Sequence, residues 1–259
     1  MSGALRFSKL SDFLPWRLLG NDPMSWCSDK THPYFVNYLS MVTLAKVLSA
    51  KRSQQSDEDG EVQVPKIVRL TGLSVGLPGT NPVSLIFNTL LSLTGKWHAR
   101  GERVLRQSGL DYTILRPGGL ADGARPPGVA VQAVAVNSDG TSVPPPARLG
   151  REDLASLAVQ CLGGGRRATA RTTLACRWVG ATQPKAQGVV GDGSAEWGGE
   201  LAKLDAAAMA VVEQDMANAP LPRKAGGVAL LVYPALALGC KFILGLAAAL
   251  LTRLGVLPA

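Results

Sequence analysis

Histidine and cysteine are sparse in this 259-residue chain. The two histidines, His32 and His98, have no clustered acidic or thiol neighbours, which leaves a zinc site without support. Beside Lys96, His98 reads as a helix-surface residue rather than a general base. The four cysteines, Cys27, Cys161, Cys176 and Cys240, are scattered and form no Cys-x-x-Cys pair, so small buried thiols are expected instead of a disulfide framework. Charge is thin as well. Only 18% of residues are charged against 46% apolar, and the mean hydropathy is +0.14. That balance is rather apolar for a soluble protein and asks for a membrane or a partner surface. The charge present is one-sided, with a formal net of +8 and a pI near 9.6. A basic balance admits nucleic acid, anionic lipid or a complex as partner. There is no RNA-recognition signature, zinc spacing or basic-aromatic ladder, so no nucleic-acid partner is expected. The first 30 residues hold no continuous apolar core and therefore no secretory signal; they read as an extension or a remnant of a targeting region.

What is present centres on residues 96–120, KWHARGERVLRQSGLDYTILRPGGL. Charged and polar groups surround Val104 and Leu105 as they would on a helix lying on a sheet. Ser108-Gly109 supplies the stop, glycine taking the left-handed conformation just past the end. Asp111 to Leu115 is short and β-favouring, hence a strand. Pro117 cannot donate to a ladder, and Gly118-Gly119 give the exit its backbone freedom. Helix, turn, strand and glycine-rich exit make half of an α/β unit, and in open α/β sheets ligands sit at the carboxyl ends of the strands.

This stretch resembles the "K…E…lr.SGldyTilRPG" segment of atypical short-chain dehydrogenases/reductases, the NAD(P)-binding, NmrA-like proteins with a Rossmann fold. Lys96, Glu102 and the run Arg106 to Gly118 carry the resemblance. It extends to Val36-Asn37-Tyr38, similar to the family's "VDY", to residues 64–76 with Thr71 where a serine-rich turn begins, and to Gly150-Arg151-Glu152-Asp153-Leu154-Ala155, similar to "reDvA". The resemblance implies an α/β fold with a partial Rossmann-like parallel sheet over residues 33–180, and cofactor contacts at Thr71, Lys96, Arg116, Pro117, Gly118 and Gly119. Two roles stay open for Thr71: touching a cofactor or substrate, or satisfying its own turn. Lys96 is likewise either a ligand for a ribose or phosphate, or a helix-face lysine with Glu102 or solvent nearby.

Two family features are missing. The resemblance implies a Tyr-x-x-x-Lys pair, in which lysine lowers the tyrosine pKa and the tyrosine transfers the proton. Here Ser92 stands four residues before Lys96, and an unassisted serine is a far poorer acid than a phenol, so no catalytic residue is assigned. Nor is there a Gly-x-Gly-x-x-Gly stretch before Pro33 to bring backbone N–H groups to a pyrophosphate. The expectation is a chain holding the second half of the fold without the first, one that binds NADPH weakly or not at all. NADP or NAD is the cofactor if the site functions, and no metal is expected.

The rest of the chain is assigned by pattern. Residues 33–50 read as a buried helix, 51–60 as a polar surface loop, and VAVQAVAV as a strand in an edge hairpin framed by proline-rich segments. A helix is expected over 154–162 and a strand over 172–179. Residues 183–199 read as irregular, and 195–217 as an amphipathic helix with Leu201, Leu204, Ala208, Val211 and Val212 on its apolar face and Glu200, Lys203, Asp205 and Glu213 on its wet one. Residues 225–251 carry one charge, Lys241, over a length that spans a hydrocarbon core of roughly 30 Å. A C-terminal transmembrane helix is expected there. The organisation is thus an extension (1–32), a short-chain-dehydrogenase-like domain (33–180), a linker with an amphipathic helix (181–224) and a membrane anchor (225–259). The main functional expectation is a membrane-anchored structural or assembly subunit of an organellar energy-converting complex, in a chloroplast thylakoid or mitochondrial inner membrane, with the domain on the stromal or matrix side. The alternative is an NAD(P)-dependent oxidoreductase or epimerase whose N-terminal half is missing from this sequence.

Overall fold

The computed structural model describes residues 28–55, 65–79, 81–91, 93–136, 147–163, 168–180 and 194–219. In chain order a π-helical segment (Tyr34–Leu39) runs into helix α1 (Ser40–Gln55), followed by strand β1 (Lys66–Leu70), a 3-10 turn (Leu73–Val75), and helices α2 (Pro82–Leu90) and α3 (Thr94–Gln107). Strands β2 (Asp111–Pro117), β3 (Gly119–Ala121), β4 (Val129–Ala135) and β5 (Arg148–Gly150) come next. Helix α4 (Arg151–Leu162), strand β6 (Thr172–Gly180) and helices α5 (Ser194–Leu201) and α6 (Ala206–Asn218) complete the described chain.

The main sheet has the order β1-β2-β6-β4. The segments expected to pair in parallel do so: β1 runs beside β2 from Lys66↔Asp111 to Leu70↔Leu115, and β2 beside β6 from Thr113↔Thr172 to Pro117↔Cys176. Parallel neighbours need long crossovers, which α2–α3 and α4 supply. Strand β4 closes the far edge antiparallel to β6. A short parallel pair, β3 with β5, forms a second sheet.

Side-chain alternation along β2 sets the layers. Tyr112 and Ile114 pack with Leu105 of α3 on one face. Leu115 packs with Leu154 and Leu157 of α4 on the other, in a cluster that also takes Leu174 of β6, Val131 of β4 and Trp197 of α5. A fully buried leucine is worth roughly 1.5–3 kcal/mol relative to exposure, so this second cluster is the main store of apolar stabilisation. Cys161 and Cys176 are free, buried thiols within it.

Several expectations change. Helix α1 continues to Gln55, because Lys51, Arg52 and Gln54 are good helix formers; the expected loop over 51–60 is therefore helical at its start. Strand β4 is at a sheet edge, yet its partner is β6 and not an adjacent hairpin arm. Residues 194–199, read as irregular, begin helix α5. The single helix over 195–217 is two helices. Its break is capped by Asp205, whose carboxylate accepts the N–H groups of Ala207 and Ala208 at 2.9 and 3.1 Å. The break reorients α6, so that Glu213, assigned to the wet side, is buried and Val211, assigned to the apolar face, is 61% exposed.

Residues 1–27 of the expected N-terminal extension (1–32), Ser92 and the whole of the expected anchor (225–259) lie outside the described residues. Among the described residues no helix is long and apolar enough to cross a membrane.

Candidate functional site

Strands β1 and β2 finish together, and the Thr71 N–H donates to the Leu115 carbonyl at 2.9 Å. This places Thr71 and residues 116–119 on one edge of the sheet, as the parallel pairing requires. Side-chain direction then separates them. In β2, Arg116 shares the face of Tyr112 and Ile114 and points beneath helix α3. There its Nη2 and Nε donate to the Glu102 carboxylate at 2.6 and 3.2 Å. The Thr71 hydroxyl donates to the same carboxylate at 2.8 Å.

Glu102 has no exposed surface. Burial alone would raise its pKa, but Arg116, Arg106 and Arg69 outweigh burial and hold the carboxyl well below the usual carboxylate range. Arg106 lies one turn further along α3. It donates to Glu102 at 3.2 and 3.3 Å, to Glu213 of α6 at 2.8 Å and to the Thr173 hydroxyl of β6 at 2.7 Å. Tyr112 adds a hydroxyl hydrogen bond to Glu213 at 3.0 Å, and burial together with that carboxylate pushes its pKa up. Arg69, from β1, donates to the Asn37 carbonyl at 2.7 Å. Its Nε and Nη1 are buried without an acceptor among the described residues, and burial lowers its pKa to about 10. A side chain at Gly101 would collide with the Asn37 carbonyl and approach the Arg69 guanidinium nitrogens to 2.6 and 2.7 Å. Glycine is what lets α3 come this close to the π-helical segment.

His98 also belongs to this layer. Burial, then the neighbouring Arg69, lowers its pKa to about 4. It is a half-buried, neutral imidazole, more enclosed than the helix-surface residue expected.

The glycine-rich exit is engaged in sheet contacts. The Gly118 N–H donates to the Cys176 carbonyl at 3.0 Å and the Gly119 N–H to the Ala147 carbonyl at 2.7 Å. A Cβ on Gly118 would overlap the backbone of Ala147 and Arg148, so glycine here permits β5 to pass close to the end of β2. Pro117 is buried. These amides do not form a free cradle for a pyrophosphate.

Lys96, in the first turn of α3, is half-buried, and its ammonium sits 4.9 Å from the centroid of the Trp97 ring. Burial, then Arg100, lowers its pKa to about 8. Of the six residues singled out from sequence, Thr71 and Arg116 meet at Glu102, Pro117 to Gly119 organise the sheet end, and Lys96 stands on the entrance of α3. Two groups remain able to hold a ribose: the Lys96 ammonium as donor, and the Thr71 oxygen, whose lone pairs are free to accept once its proton goes to Glu102. Sequence reasoning passed over Arg69, Arg106 and Glu213. The local signal was Glu102-x-x-x-Arg106, an i, i+4 ion pair on a helix with a buried face; nothing local pointed to Glu213.

Residues 58–163 match the NAD(P)H-binding family. Among solved structures, a candidate NAD-dependent epimerase/dehydratase from Bacillus halodurans is similar at 14% identity and a TM-score of 0.40, covering 62% of each chain. A wide-type short-chain dehydrogenase/reductase from Veillonella parvula, in complex with NADP, is similar at 23% identity and a TM-score of 0.39, covering 59% of this chain and 64% of that one. The chain thus spans somewhat under two thirds of the length of either structure. No curated protein has a significantly similar sequence.

Proposed function

We propose, from the match of residues 58–163 to the NAD(P)H-binding family, that the chain is an NAD(P)-binding domain of the oxidoreductase or epimerase class, the cofactor lying across the sheet edge at Thr71 and the entrance of α3. The observation that carries this reading is the family match falling on the segment whose parallel strands bring Thr71 beside Arg116. A bound nicotinamide would supply hydride transfer. The chain's own part is to hold the ribose, with Lys96 donating and the Thr71 oxygen accepting, while Glu102 fixes the Thr71 rotamer.

The described glycine amides are engaged in sheet contacts, so binding is expected to be weak. The test is titration of the full-length protein in detergent with NADPH and NADH, followed by nucleotide fluorescence. Saturable binding weaker than micromolar, between about −4 and −8 kcal/mol, is expected, and Lys96→Ala should abolish it. That variant should fold, since it loses only a cation–π contact worth about 0.5–1 kcal/mol at a partly exposed site. Absence of saturation at millimolar nucleotide would remove the reading.

A second reading rests on the composition of residues 225–251 alone. Their nearly uncharged length supports attachment to a membrane. Alkaline carbonate extraction tests it: the full-length protein should stay in the pellet and a chain ending at Lys224 should be released. Release of both ends this reading.

A further inference from the structure

Strand β1 stands at one end of the main sheet, and among the described residues no strand lies beyond it. Natural proteins guard such an edge with charge, proline, a bulge or a cover, because its unpaired amides otherwise template a further strand. Here the guards are missing or turned inward. The five residues Lys66–Leu70 include no proline and pair with β2 in unbroken register. Both charges of the strand are withdrawn from the edge. The Lys66 side chain is 1% exposed and donates to the Thr169 hydroxyl at 2.9 Å, and Arg69 is buried on the Asn37 carbonyl. Lys66 as a whole residue is only half-buried, so the surface it presents is main chain. Val68 is half-buried and Leu70 is 45% exposed.

One hydrogen bond fixes which groups face outward. The Thr71 N–H donates to the Leu115 carbonyl of β2. Main-chain direction alternates along a strand, so Arg69 and Ile67 also turn to β2, and the N–H and C=O of Val68 and Leu70 point away from it. Side chains alternate as well. Ile67 shares a cluster with Met41 of α1 on the α3 face, whereas Val68 packs on the main core of the opposite face. On the α3 face the β6 side is taken by α6, through Glu213 and Arg106, and α1 lies on the β1 side. Helix α1 carries Lys46, Lys51 and Arg52 and no carboxylate. Lys46 and Lys51 are exposed and make no ion pair among the described residues.

We propose that the open edge of β1 docks an extended segment of another polypeptide, one whose apolar side chains on the Val68–Leu70 face alternate with carboxylates on the α1 face. The added strand lies about 4.8 Å beyond β1. Its main chain pairs with Val68 and Leu70, and its acidic side chains meet Lys46 and Lys51. A second copy of this chain does not fit. A two-fold axis at Val68 would set two α1 helices side by side on one face, cation against cation, in a chain of net charge +8. Docking here goes beyond the nucleotide reading and does not depend on it.

Amide hydrogen exchange resolved to single residues, on the full-length protein in detergent, tests this. In the protein alone, Val68 and Leu70 should exchange about tenfold or more faster than Arg69 and Thr71, which serve as references in the same stretch. The probe is a capped heptapeptide of alternating valine and glutamate, with a valine–lysine heptapeptide as its counterpart. The glutamate peptide should slow Val68 and Leu70 to the rate of the references, and the lysine peptide should not. Lys46→Glu together with Lys51→Glu should reverse that preference while the thermal unfolding transition is kept, since both side chains are exposed. Val68 and Leu70 as slow as the references without peptide would overturn the proposal, because the chain then covers its own edge. Slowing that grows with protein concentration alone would overturn it in favour of a second copy. Equal slowing by both peptides, or a preference that survives the double substitution, would overturn the acidic partner.

Discussion

Glu102 joins three elements through one side chain. It accepts from Arg116 of the sheet, Arg106 of its own helix and Thr71 of the loop after β1. Taking one partner out of a buried ion network leaves the other charges in a low-dielectric layer without compensation, at a cost of about 3–5 kcal/mol. Glu102→Gln preserves shape and removes the charge on which Arg106 and Arg116 converge. It should lower stability by that amount, seen as a lower urea midpoint with little change in slope. A loss under about 1 kcal/mol would mean that water reaches the carboxylate. At this scale the sequence was only partly legible. The position of Glu102 could be quoted as part of a motif, but its burial depends on Arg116 arriving from β2 and on Gly101 allowing the close approach, neither of which is a local property. Thr71 was legible as a turn hydroxyl with two possible partners, and the nearby carboxylate takes its proton.

Helix α6 shows how a periodic pattern can mislead. Apolar residues at helical spacing from Leu201 to Val212 suggested one continuous face, because the periodicity does not register a break that leaves the next helix rotated. The break was marked by Asp205, a strong N-cap residue whose side chain now satisfies two of the first free N–H groups of α6. Asp205→Ala should cost about 1 kcal/mol. Because α6 holds the network through Glu213 and is held itself by the Arg103 guanidinium on the Ala217 and Ala219 carbonyls, the loss should be local. Hydrogen exchange should accelerate at the first turn of α6 and remain slow in β2 and β6. Uniform acceleration across the sheet would show instead that α6 unfolds only with the whole domain. Helix α3 was better read, since its stop at Ser108-Gly109 is local chemistry. Gly109 does take a positive φ of 73°, and the Ser108 N–H caps the Leu105 carbonyl.

For the whole molecule, the parallel pairing of β1, β2 and β6 was accessible from sequence, because strand–helix alternation leaves few other solutions. The polar layer between that sheet and α3 was not, because Arg69, Arg106, Glu102 and Glu213 meet only after the crossover has formed. This layer determines how the protein responds to acid. Glu102 titrates near 4.5 when unperturbed and far lower when folded, so in a falling pH the unfolded chain takes up its proton first and stability drops below about pH 5. His98 acts in the same direction at a higher pH. Its unperturbed value is 6.5 and its folded value about 4, lowered by burial and then by Arg69, with Glu102 opposing. Between those values the unfolded chain binds a proton that the folded one refuses, which again favours unfolding. Stability should therefore be level above about pH 7, decline from there as the histidine difference develops, and fall more steeply below about pH 5, where the unfolded chain also takes up the Glu102 proton. Urea midpoints measured from pH 8 to 3 should trace this two-stage descent. His98→Gln should flatten the stage above about pH 5 and leave the lower stage in place, since the amide carries no proton equilibrium in this range. If the upper stage persists unchanged in that variant, the imidazole is not the group that titrates, and the half-buried position of His98 near Arg69 has no part in the acid sensitivity of the fold.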